Sequence, residues 1–576
     1  MKQLRQMSIL VRGAQLLLLV LALFLVVWLV PDTGKKHSQG VESPEADAGS
    51  GASENEENGM DTDADRNLLS DGNIDQGDTD SLNGSGELDE ELSDRGSSEK
   101  SSKRRNRRKA SGKKEDQTEN GEEAIYTPPT IWLATDLHYQ SPQMTDFQSA
   151  FDTYTMGNDG TIVPYLDEIT EAFLEEVRAA HPSALVLSGD LSQNGEKANH
   201  EALAKKLERV QAAGIPVLVI PGNHDINHPW AATYFEDKVS PAEGTSSEEF
   251  YQIYHQFGYD QAASRATDSL SYVYHLDEKY WLMMLDSCMC EPVHETGGKL
   301  SAETVAWMKT QLEEAKKQGV TVIPVSHHNL LDESTLYPEE CTIENTKEVT
   351  ALLEEYGVPV YLSGHLHLQR IKKHTSNLRT PGGYGIREIV TSPLSMSPCQ
   401  YSVLDWQADG SLSYHTQKVD ITGWAQRYGE EDENLLNFDA YAAQFLVDVI
   451  SEQAFKALQS ASKEIKEEMA KLYADANRDY CSGTKIDVSK VKKSEAYQYW
   501  IRYSGNDFWL ARLQTILHDA RTNNTALELK AGVDFPAPGE TIESLENAEN
   551  TEVSGADAGS PAEEIQKKAQ AALRTE

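Results

Sequence analysis

Six short aliphatic runs limit what this chain can fold into. Each is four to eight residues long and rich in Val, Ile and Leu, which is typical of strands buried on both faces of a sheet. They stand in the segments IWLATD, ALVLSGD, VLVIPGNHD, YWLMMLDS, VTVIPVSHH and VPVYLSGHLH, which begin at residues 131, 184, 217, 280, 320 and 358. Stretches with helical spacing separate several of them, and later runs look antiparallel, with a hairpin signal at Asp409 and Gly410. The sequence therefore predicts an α/β protein with mixed sheets.

Five of these runs end on side chains suited to metal ions. The residues are Asp136 and His138 after the first run, Asp190 after the second, Asn223, His224 and Asp225 after the third, His327 after the fifth, and His365 and His367 after the sixth. In open α/β sheets, ligands bind at the carboxyl ends of the strands. We therefore expect these side chains to form one site.

The spacing within these motifs favours metal coordination. Residues two apart in an extended segment point the same way, so Asp136 with His138, and His365 with His367, can each present two ligands. A mixture of carboxylate, imidazole and amide oxygen suits Mn, Fe, Zn or Co, whereas Ca and Mg prefer oxygen alone. Leaving out His224 and Asp225, seven candidate ligands remain, which exceeds the needs of one such ion. The sequence therefore predicts two divalent ions that share a carboxylate, the usual apparatus for in-line displacement at phosphorus.

The ordered motifs Asp-x-His, Gly-Asp, Gly-Asn-His-Asp, His and Gly-His-x-His resemble those of the calcineurin-like metallophosphoesterase superfamily. The resemblance covers residues from about 131 to 404. It implies a four-layer α/β/β/α sandwich with a dinuclear centre. By motif, one metal would be held by Asp136, His138 and His367, and the other by Asn223, His327 and His365, with Asp190 bridging the two. His328 could also point inward, but the family pattern favours His327.

The resemblance also implies catalytic roles for the remaining motif residues. Two metals would lower the pKa of a bridging water and give a hydroxide nucleophile. His224 would stabilise the transition state or protonate the leaving alkoxide, and Asp225 is expected to orient His224 through its other ring nitrogen. Purple acid phosphatases of this superfamily carry a Tyr ligand where this chain has Gln193, so a ferric-tyrosinate centre is not expected. Mn, Fe(II) or Zn remains open.

The pattern changes at several points along the chain, which predicts its domain organisation. We expect a basic cytoplasmic segment at 1–13, a transmembrane signal anchor at 14–31, a disordered acidic linker at 32–122 with a basic patch at 103–114, a metallophosphoesterase domain at 123–420, a helical C-terminal domain at 421–530 and a disordered acidic tail at 531–576. The linker and tail are poor in aromatic residues, so they bury too little apolar surface to offset the entropy of ordering. The helical domain, with aromatic residues that include Trp500 and Trp509, could cap the cleft or bind cell-wall polymer.

The N-terminus predicts a location for the chain. An uncharged apolar run, 14–30, follows Lys2, Arg5 and Arg12, and its length is within the range that spans a bilayer. Because basic residues stay in the cytoplasm, the body of the chain should be extracytoplasmic. A cleaved signal peptide is the alternative, and both place the body outside. This organisation is typical of a single-pass protein of a bacterial cell membrane.

Charge and composition restrict the partners further. The formal net charge is −41, which argues against nucleic acid as the main partner, because phosphate backbones are bound by basic surfaces. The five cysteines allow one disulfide, from Cys288 or Cys290 to Cys341. We therefore expect a membrane-anchored phosphoesterase that acts on monoesters or diesters of nucleotides, lipid head groups or envelope polymers. The alternative is a catalytically silent binding or scaffold protein of the cell surface. These motifs leave the oligomeric state open.

Overall fold

The computed structural model describes residues 126–332, 341–374, 384–458, 460–504 and 508–536. All of them belong to one compact unit, Gln117–Glu576. The predicted anchor, linker and basic patch lie outside the described residues, as does the tail from 537 onward. Within the described part of the chain, no helix combines the length and the apolar character that a membrane span requires.

Two β-sheets form the centre of the described unit. The strands are β1 (Thr130–Ala134), β2 (Ala184–Ser188), β3 (Val217–Ile220), β4 (Ala232–Phe235), β5 (Lys238–Pro241), β6 (Ser264–Arg265), β7 (Tyr272–His275), β8 (Tyr280–Leu285), β9 (Cys288–Met289), β10 (Glu295–Gly298), β11 (Thr321–Ser326), β12 (Val360–Ser363), β13 (Arg370–Lys373), β14 (Arg387–Val390), β15 (Gln400–Trp406), β16 (Leu412–Lys418) and β17 (Ala526–Leu529). The first sheet has the order β17-β16-β15-β1-β2-β3, and the second β13-β14-β12-β11-β8-β7-β6. The pairs β9-β10 and β4-β5 form separate two-stranded ribbons.

Both sheets are mixed, as the sequence predicts. In the first sheet β1, β2 and β3 run parallel, whereas β15, β16 and β17 add antiparallel strands on the other side of β1. In the second sheet β8, β11, β12 and β14 run parallel, with antiparallel β7 and β13 flanking them. The candidate ligands follow parallel strands of both sheets, namely β1, β2, β3, β11 and β12, whose residues are almost all buried.

Helices flank the two sheets or form the C-terminal region. In chain order they are α1 (Ser149–Gly157), α2 (Leu166–Ala180), α3 (Lys197–Ala212), α4 (Ser247–Tyr254), α5 (Ala302–Gln318), α6 (Thr346–Glu355), α7 (Ile421–Tyr428), α8 (Phe438–Ala457), α9 (Lys463–Cys481), α10 (Val488–Lys493), α11 (Glu495–Tyr503) and α12 (Phe508–Asp519). Short 3-10 turns lie at Pro142–Met144, Val163–Tyr165 and Leu435–Asn437.

Strand alternation divides the core into layers. In β8, Leu282 and Met284 join the core between the sheets, whereas Trp281, Met283 and Leu285 join a cluster with residues of α5 and α6. This is the period of two expected of a strand that is buried on both faces. Because α2 and α3 pack on the first sheet in the same way, the domain has four layers, α/β/β/α, as the family resemblance implies.

The C-terminal region is helical but not wholly separate. Its own core joins α8, α9, α11 and α12 around Trp500, which is fully buried. The first half of α8 packs into the main core through Phe438 and Ala442, and the second half packs into the helical core through Leu446 and Ile450. The predicted helical segment also contains a strand, β17, which pairs with β16 at the edge of the first sheet. The helices are therefore fixed to the catalytic domain at both ends.

The expected disulfide is wrong. Cys288 and Cys290 are both free thiols, so neither forms the bond to Cys341. Cys290 is buried, and the Cys288 thiol lies 3.4 Å from the carbonyl oxygen of Pro221. These residues pack beside the strand that leads into the site, as small apolar side chains do.

Candidate metal centre

The candidate ligands come together at the carboxyl ends of both sheets. Asp136 and His138 follow β1, Asp190 follows β2 and Asn223 follows β3, all in the first sheet. His327 follows β11, and the pair of histidines at 365 and 367 follows β12, both in the second sheet. The site therefore lies where the carboxyl ends of the parallel strands of the two sheets meet.

The backbone at these residues is unusual. Five candidate ligands have positive φ angles, namely Asp136 (50°), His138 (44°), Asp190 (48°), His365 (68°) and His367 (52°). Non-glycine residues rarely adopt this region, and each instance costs on the order of 1 kcal/mol or more. Such conformations persist only where the surroundings fix them, and they are concentrated at functional sites. The fold therefore holds these side chains in position at the expense of local strain.

Four side chains converge on a first position. One ligand atom from each of Asp136, His138, Asp190 and His367 lies within 4.8 Å of the others. The Nε2 atoms of His138 and His367 are 3.0 Å apart, and Asp136 Oδ1 lies 3.4 Å from His367 Nε2. Asp136 Oδ1 is buried and has no hydrogen-bond partner among the described residues. A buried carboxylate oxygen without a donor fits a cation at this position.

A second group shares Asp190 with the first. Asp190, His327 and His365 also bring one ligand atom each within 4.8 Å. His327 Nε2 lies 3.3 Å from Asp190 Oδ2, 3.0 Å from Asn223 Oδ1 and 3.1 Å from His365 Nδ1. Because Asp190 belongs to both groups, its carboxylate is placed to bridge two ions. The donor set of imidazole, carboxylate and amide oxygen fits borderline divalent metals.

Burial keeps several of these rings ready to bind a metal. It lowers the pKa of His138 to about 4 and the pKa of His365 well below its usual value, so both rings are neutral at pH 7. Burial also opposes the charge of Asp190, but the ring of His327 outweighs this effect and holds the pKa of the carboxyl well below its usual value. Burial acts to lower the pKa of His327, but the charge of Asp190 outweighs this effect and raises the pKa to about 9. A metal that binds His327 must therefore displace a proton.

Further contacts orient the metal-facing rings. His327 donates through Nδ1 to the Ser188 carbonyl oxygen at 3.0 Å, which leaves its Nε2 facing the site. His367 contacts Asp159 Oδ2 through Nδ1 at 2.5 Å. Burial acts to raise the pKa of Asp159, but the charge of His367 lowers it below its usual value. A carboxylate on the other nitrogen of a ligating histidine fixes the tautomer and ring orientation. Asp159 belongs to none of the sequence motifs and is not among the predicted site residues.

His224 lines the cleft beside the first group of ligands. Its ring lies edge-on to that of His138, with 4.9 Å between the ring centroids. Its Nδ1 is within hydrogen-bond distance of the Gln193 carbonyl oxygen at 2.9 Å and of Asn194 Oδ1 at 3.1 Å. These acceptors fix the orientation of the ring. His224 is therefore the histidine outside the ligand groups that can reach a substrate held at the metals.

Asp225 does not orient His224, so that prediction is wrong. Its carboxylate is fully buried and accepts hydrogen bonds from the backbone N–H groups of Leu191 (3.1 Å), Ser192 (2.9 Å) and Gly222 (2.8 Å), and from the Ser192 hydroxyl (3.2 Å). Consecutive residues of a tight turn point in different directions, which sequence spacing alone does not reveal. Asp225 joins the loop after β2 to the loop after β3.

The two adjacent histidines after β11 point in different directions. His327 faces both Asp190 and Asn223, whereas His328 turns away, with Nδ1 2.8 Å from Ser287 Oγ and Nε2 2.9 Å from the Thr296 carbonyl oxygen. Both nitrogens of His328 are thus occupied by protein groups. The residue that the family pattern favours is the one that the fold directs into the site.

A cleft of about 390 Å³ opens from this cluster. One wall carries the metal-facing residues, and the other belongs to the C-terminal helices. The lining residues are Asp159, Asp190, Asn223, His224, Thr296, Cys341, His365, Leu366, His367, Leu368, Met396, Ile450, Gln453, Tyr473, Asn477, Tyr480, Cys481, Trp509, Arg512 and Ile516. Its volume is within the range of small-molecule sites, roughly 300–1,000 Å³.

A two-sheet α/β sandwich with Asp, His and Asn side chains at the strand ends is the architecture of a metallophosphoesterase. Residues 129–369 match the family of calcineurin-like phosphoesterases, and this part of the chain belongs to that family. Residues 420–523 match a second family model, the C-terminal domain of cyclic nucleotide phosphodiesterase. The second match covers most of the helical region.

Characterised and predicted relatives share only part of the chain. An uncharacterised metallophosphoesterase-like protein of Bacillus subtilis is 23% identical over 258 residues, 40% of this chain and 47% of the relative. A probable cyclic nucleotide phosphodiesterase of Psychrobacter arcticus is 25% identical over 36% of this chain and 63% of the relative. The 3′,5′-cyclic adenosine monophosphate phosphodiesterase of Escherichia coli K12 is 22% identical over 35% of this chain and 60% of the relative. The chain thus spans about half to three-fifths of these proteins.

Solved structures of similar proteins include a dimetal phosphatase from Danio rerio. It is 13% identical, with a TM-score of 0.36, and the match covers 51% of this chain and 97% of that one. A purple acid phosphatase from yellow lupin is 14% identical, with a TM-score of 0.35, over 51% of this chain and 52% of that one.

Proposed function

We propose that this protein is a dinuclear metal-dependent phosphodiesterase whose substrates are cyclic nucleotides. The observation that carries the proposal is the position of Asp190, which belongs to two adjoining groups of metal-binding side chains beside His224. The cyclic nucleotide class is supported by the match of the helical region and by the relatives named as cyclic nucleotide phosphodiesterases. Phosphomonoesters are the rival substrates.

The residues divide the proposed chemistry between them. When bound, two divalent ions polarise the phosphoryl oxygens and activate a water molecule for in-line attack. One ion would be held by Asp136, His138 and His367. The other would be held by Asn223, His327 and His365, and Asp190 would contact both ions. His224, fixed through Nδ1 by Gln193 and Asn194, would donate a proton to the leaving oxygen. Mn, Fe(II) and Zn all suit this donor set.

The test uses the full-length protein loaded with Mn, assayed against cyclic AMP, AMP and p-nitrophenyl phosphate. We expect hydrolysis of cyclic AMP, and loss of most of that rate together with a bound metal in Asp190→Asn. Asp237→Asn, at an exposed position outside the cleft, is the matched control and should change neither value. Preference for the two monoesters would overturn the diesterase proposal. A metal-loaded parent that cleaves none of the three would favour a binding or scaffold role.

We also propose that residues 14–31 anchor the protein in the cell membrane with its catalytic domain outside. The support is the sequence alone, an uncharged apolar run preceded by Lys2, Arg5 and Arg12. In intact cells of the source organism with the wall removed, added protease should degrade the catalytic domain while a cytoplasmic marker survives. Protection of the domain until the cells are lysed would contradict this location.

A further inference from the structure

The C-terminal helices build one whole wall of the catalytic cleft. The wall residues are Ile450 and Gln453 of α8, Tyr473, Asn477, Tyr480 and Cys481 of α9, and Trp509, Arg512 and Ile516 of α12. Within each helix these residues recur every three or four positions, and only Tyr480 and Cys481 at the end of α9 are adjacent, which places them along one face. Three helices therefore turn a continuous stripe of side chains toward the metal-facing residues.

This wall is attached to the catalytic domain near the metal centre. Gln453 donates from Nε2 to the Asn158 carbonyl oxygen at 2.7 Å, one residue before Asp159. The backbone N–H of Gln369, two residues after the last metal-facing histidine, donates to the Cys481 carbonyl oxygen at 2.9 Å. These contacts fix the separation of the two walls. A substrate held at the metals must therefore extend toward the helices.

The wall offers a flat aromatic surface. Trp509 is half-buried, and its ring lies 4.9 Å from that of Tyr473 at an interplanar angle of 72°. Tyr473 is only 1% exposed, so it is fixed in the helical core and holds the Trp509 ring in position through this edge contact. An indole ring held at the edge of the cleft is suited to stacking on a planar ligand group.

Planar hydrogen-bonding groups stand on the same wall. Asn477 is buried and uses Nδ2 in a 3.6 Å contact with the thiol of Cys481. Arg512 lies one helical turn after Trp509. Arg512 and Asp159 both line the cleft, Arg512 on the helical wall and Asp159 on the catalytic wall. Amide and guanidinium groups form the paired hydrogen bonds that read the edges of nucleobases.

We infer that the helical wall is the nucleobase-binding half of the site. Trp509 stacks on the base, while Arg512 and Asn477 hydrogen-bond to its edge. This inference rests on the proposed function, since it assigns the part of a cyclic nucleotide that does not react. The small volume of the cleft suits a mononucleotide better than a polymer.

The test compares two diesters that differ in the presence of a base. Cyclic AMP carries one, whereas methyl p-nitrophenyl phosphate does not, and kcat/KM is measured for both with the full-length, Mn-loaded protein. In Trp509→Ala, the ratio of kcat/KM for cyclic AMP to that for the methyl ester should fall about 5- to 150-fold, as expected for a lost base stack. Most of the change should be in KM. Arg512→Gln should lower the same ratio.

Matched substitutions on α11 provide the controls. Tyr499 and Arg502 belong to the same helical domain but do not line the cleft, so Tyr499→Ala and Arg502→Gln should leave the ratio unchanged. Metal content and melting temperature identify any variant that fails to fold. If Trp509→Ala fails by these measures, the ratio in Arg512→Gln tests the inference instead. If the parent cleaves cyclic AMP and both wall variants keep its ratio, the inference is wrong while the proposed function stands. If the parent cleaves only the methyl ester, the cyclic nucleotide proposal itself fails.

Discussion

The role of Asp225 gives a quantitative prediction about stability. Its carboxylate accepts hydrogen bonds from three buried backbone N–H groups, those of Leu191, Ser192 and Gly222. In Asp225→Asn one carboxylate oxygen becomes a donor. If the amide group replaces Oδ1, the N–H of Ser192 loses its acceptor, and if it replaces Oδ2, the N–H groups of Leu191 and Gly222 lose theirs. An orphaned buried group costs about 1–3 kcal/mol.

We therefore expect Asp225→Asn to lower the free energy of unfolding by about 1–3 kcal/mol or more. Asp225→Ala orphans all three N–H groups and should cost at least as much as the amide variant. Urea unfolding in the presence of a chelator measures this effect without a contribution from bound metal. Asp237→Asn, which changes an exposed carboxylate to an amide, is the matched control and should stay within about 0.5 kcal/mol of the parent.

The opposite result would support an orienting role for this residue. If Asp225 acted on His224, Asp225→Asn would unfold at the same urea concentration as the parent. Its kcat would then fall as far as that of His224→Ala. Unchanged stability with that loss of turnover would refute the structural account of Asp225.

Other substitutions test the metal site itself. Asp159→Asn, which removes the carboxylate beside His367, should weaken Mn binding about 10- to 100-fold in a calorimetric titration, and parental affinity would exclude an orienting role. Gly222→Ala would place a methyl group 2.2 Å from Asp190 Oδ1, so metal content measured by atomic emission should fall, and full occupancy would contradict this steric argument. His224→Ala should retain its metal but lose about 10²- to 10⁴-fold in kcat, and a smaller loss would exclude general acid catalysis.

The sequence predicts the frame of the site because each motif is local. A buried strand places its last residues at a known edge of the sheet, so Asp136, Asp190 and Asn223 can be assigned to one site from their order alone. The antiparallel pattern of the later runs predicts mixed sheets, and the family resemblance implies the four layers. Chain order is sufficient here since parallel strands carry their carboxyl ends to one side.

The other features of the site depend on contacts between distant parts of the chain, which no local motif predicts. Asp159 lies 208 residues from His367, in a short loop without strand or helix periodicity, so no local pattern marks it. The direction of Asp225 depends on the torsion angles of a tight turn. On α12, helical spacing cannot distinguish a face that packs into a core from one that lines a cleft, and for this reason Trp509 is not predicted as a site residue.

The most direct test of the central claim is the electron paramagnetic resonance spectrum of the Mn-loaded protein. If Asp190 bridges two ions, the parent should bind two Mn per chain and give the spectrum of a spin-coupled pair. Asp190→Asn should lose that coupling along with at least one ion. A parent that binds a single Mn, or two ions without coupling, would contradict the assignment of Asp190 as the bridge of a dinuclear phosphoesterase.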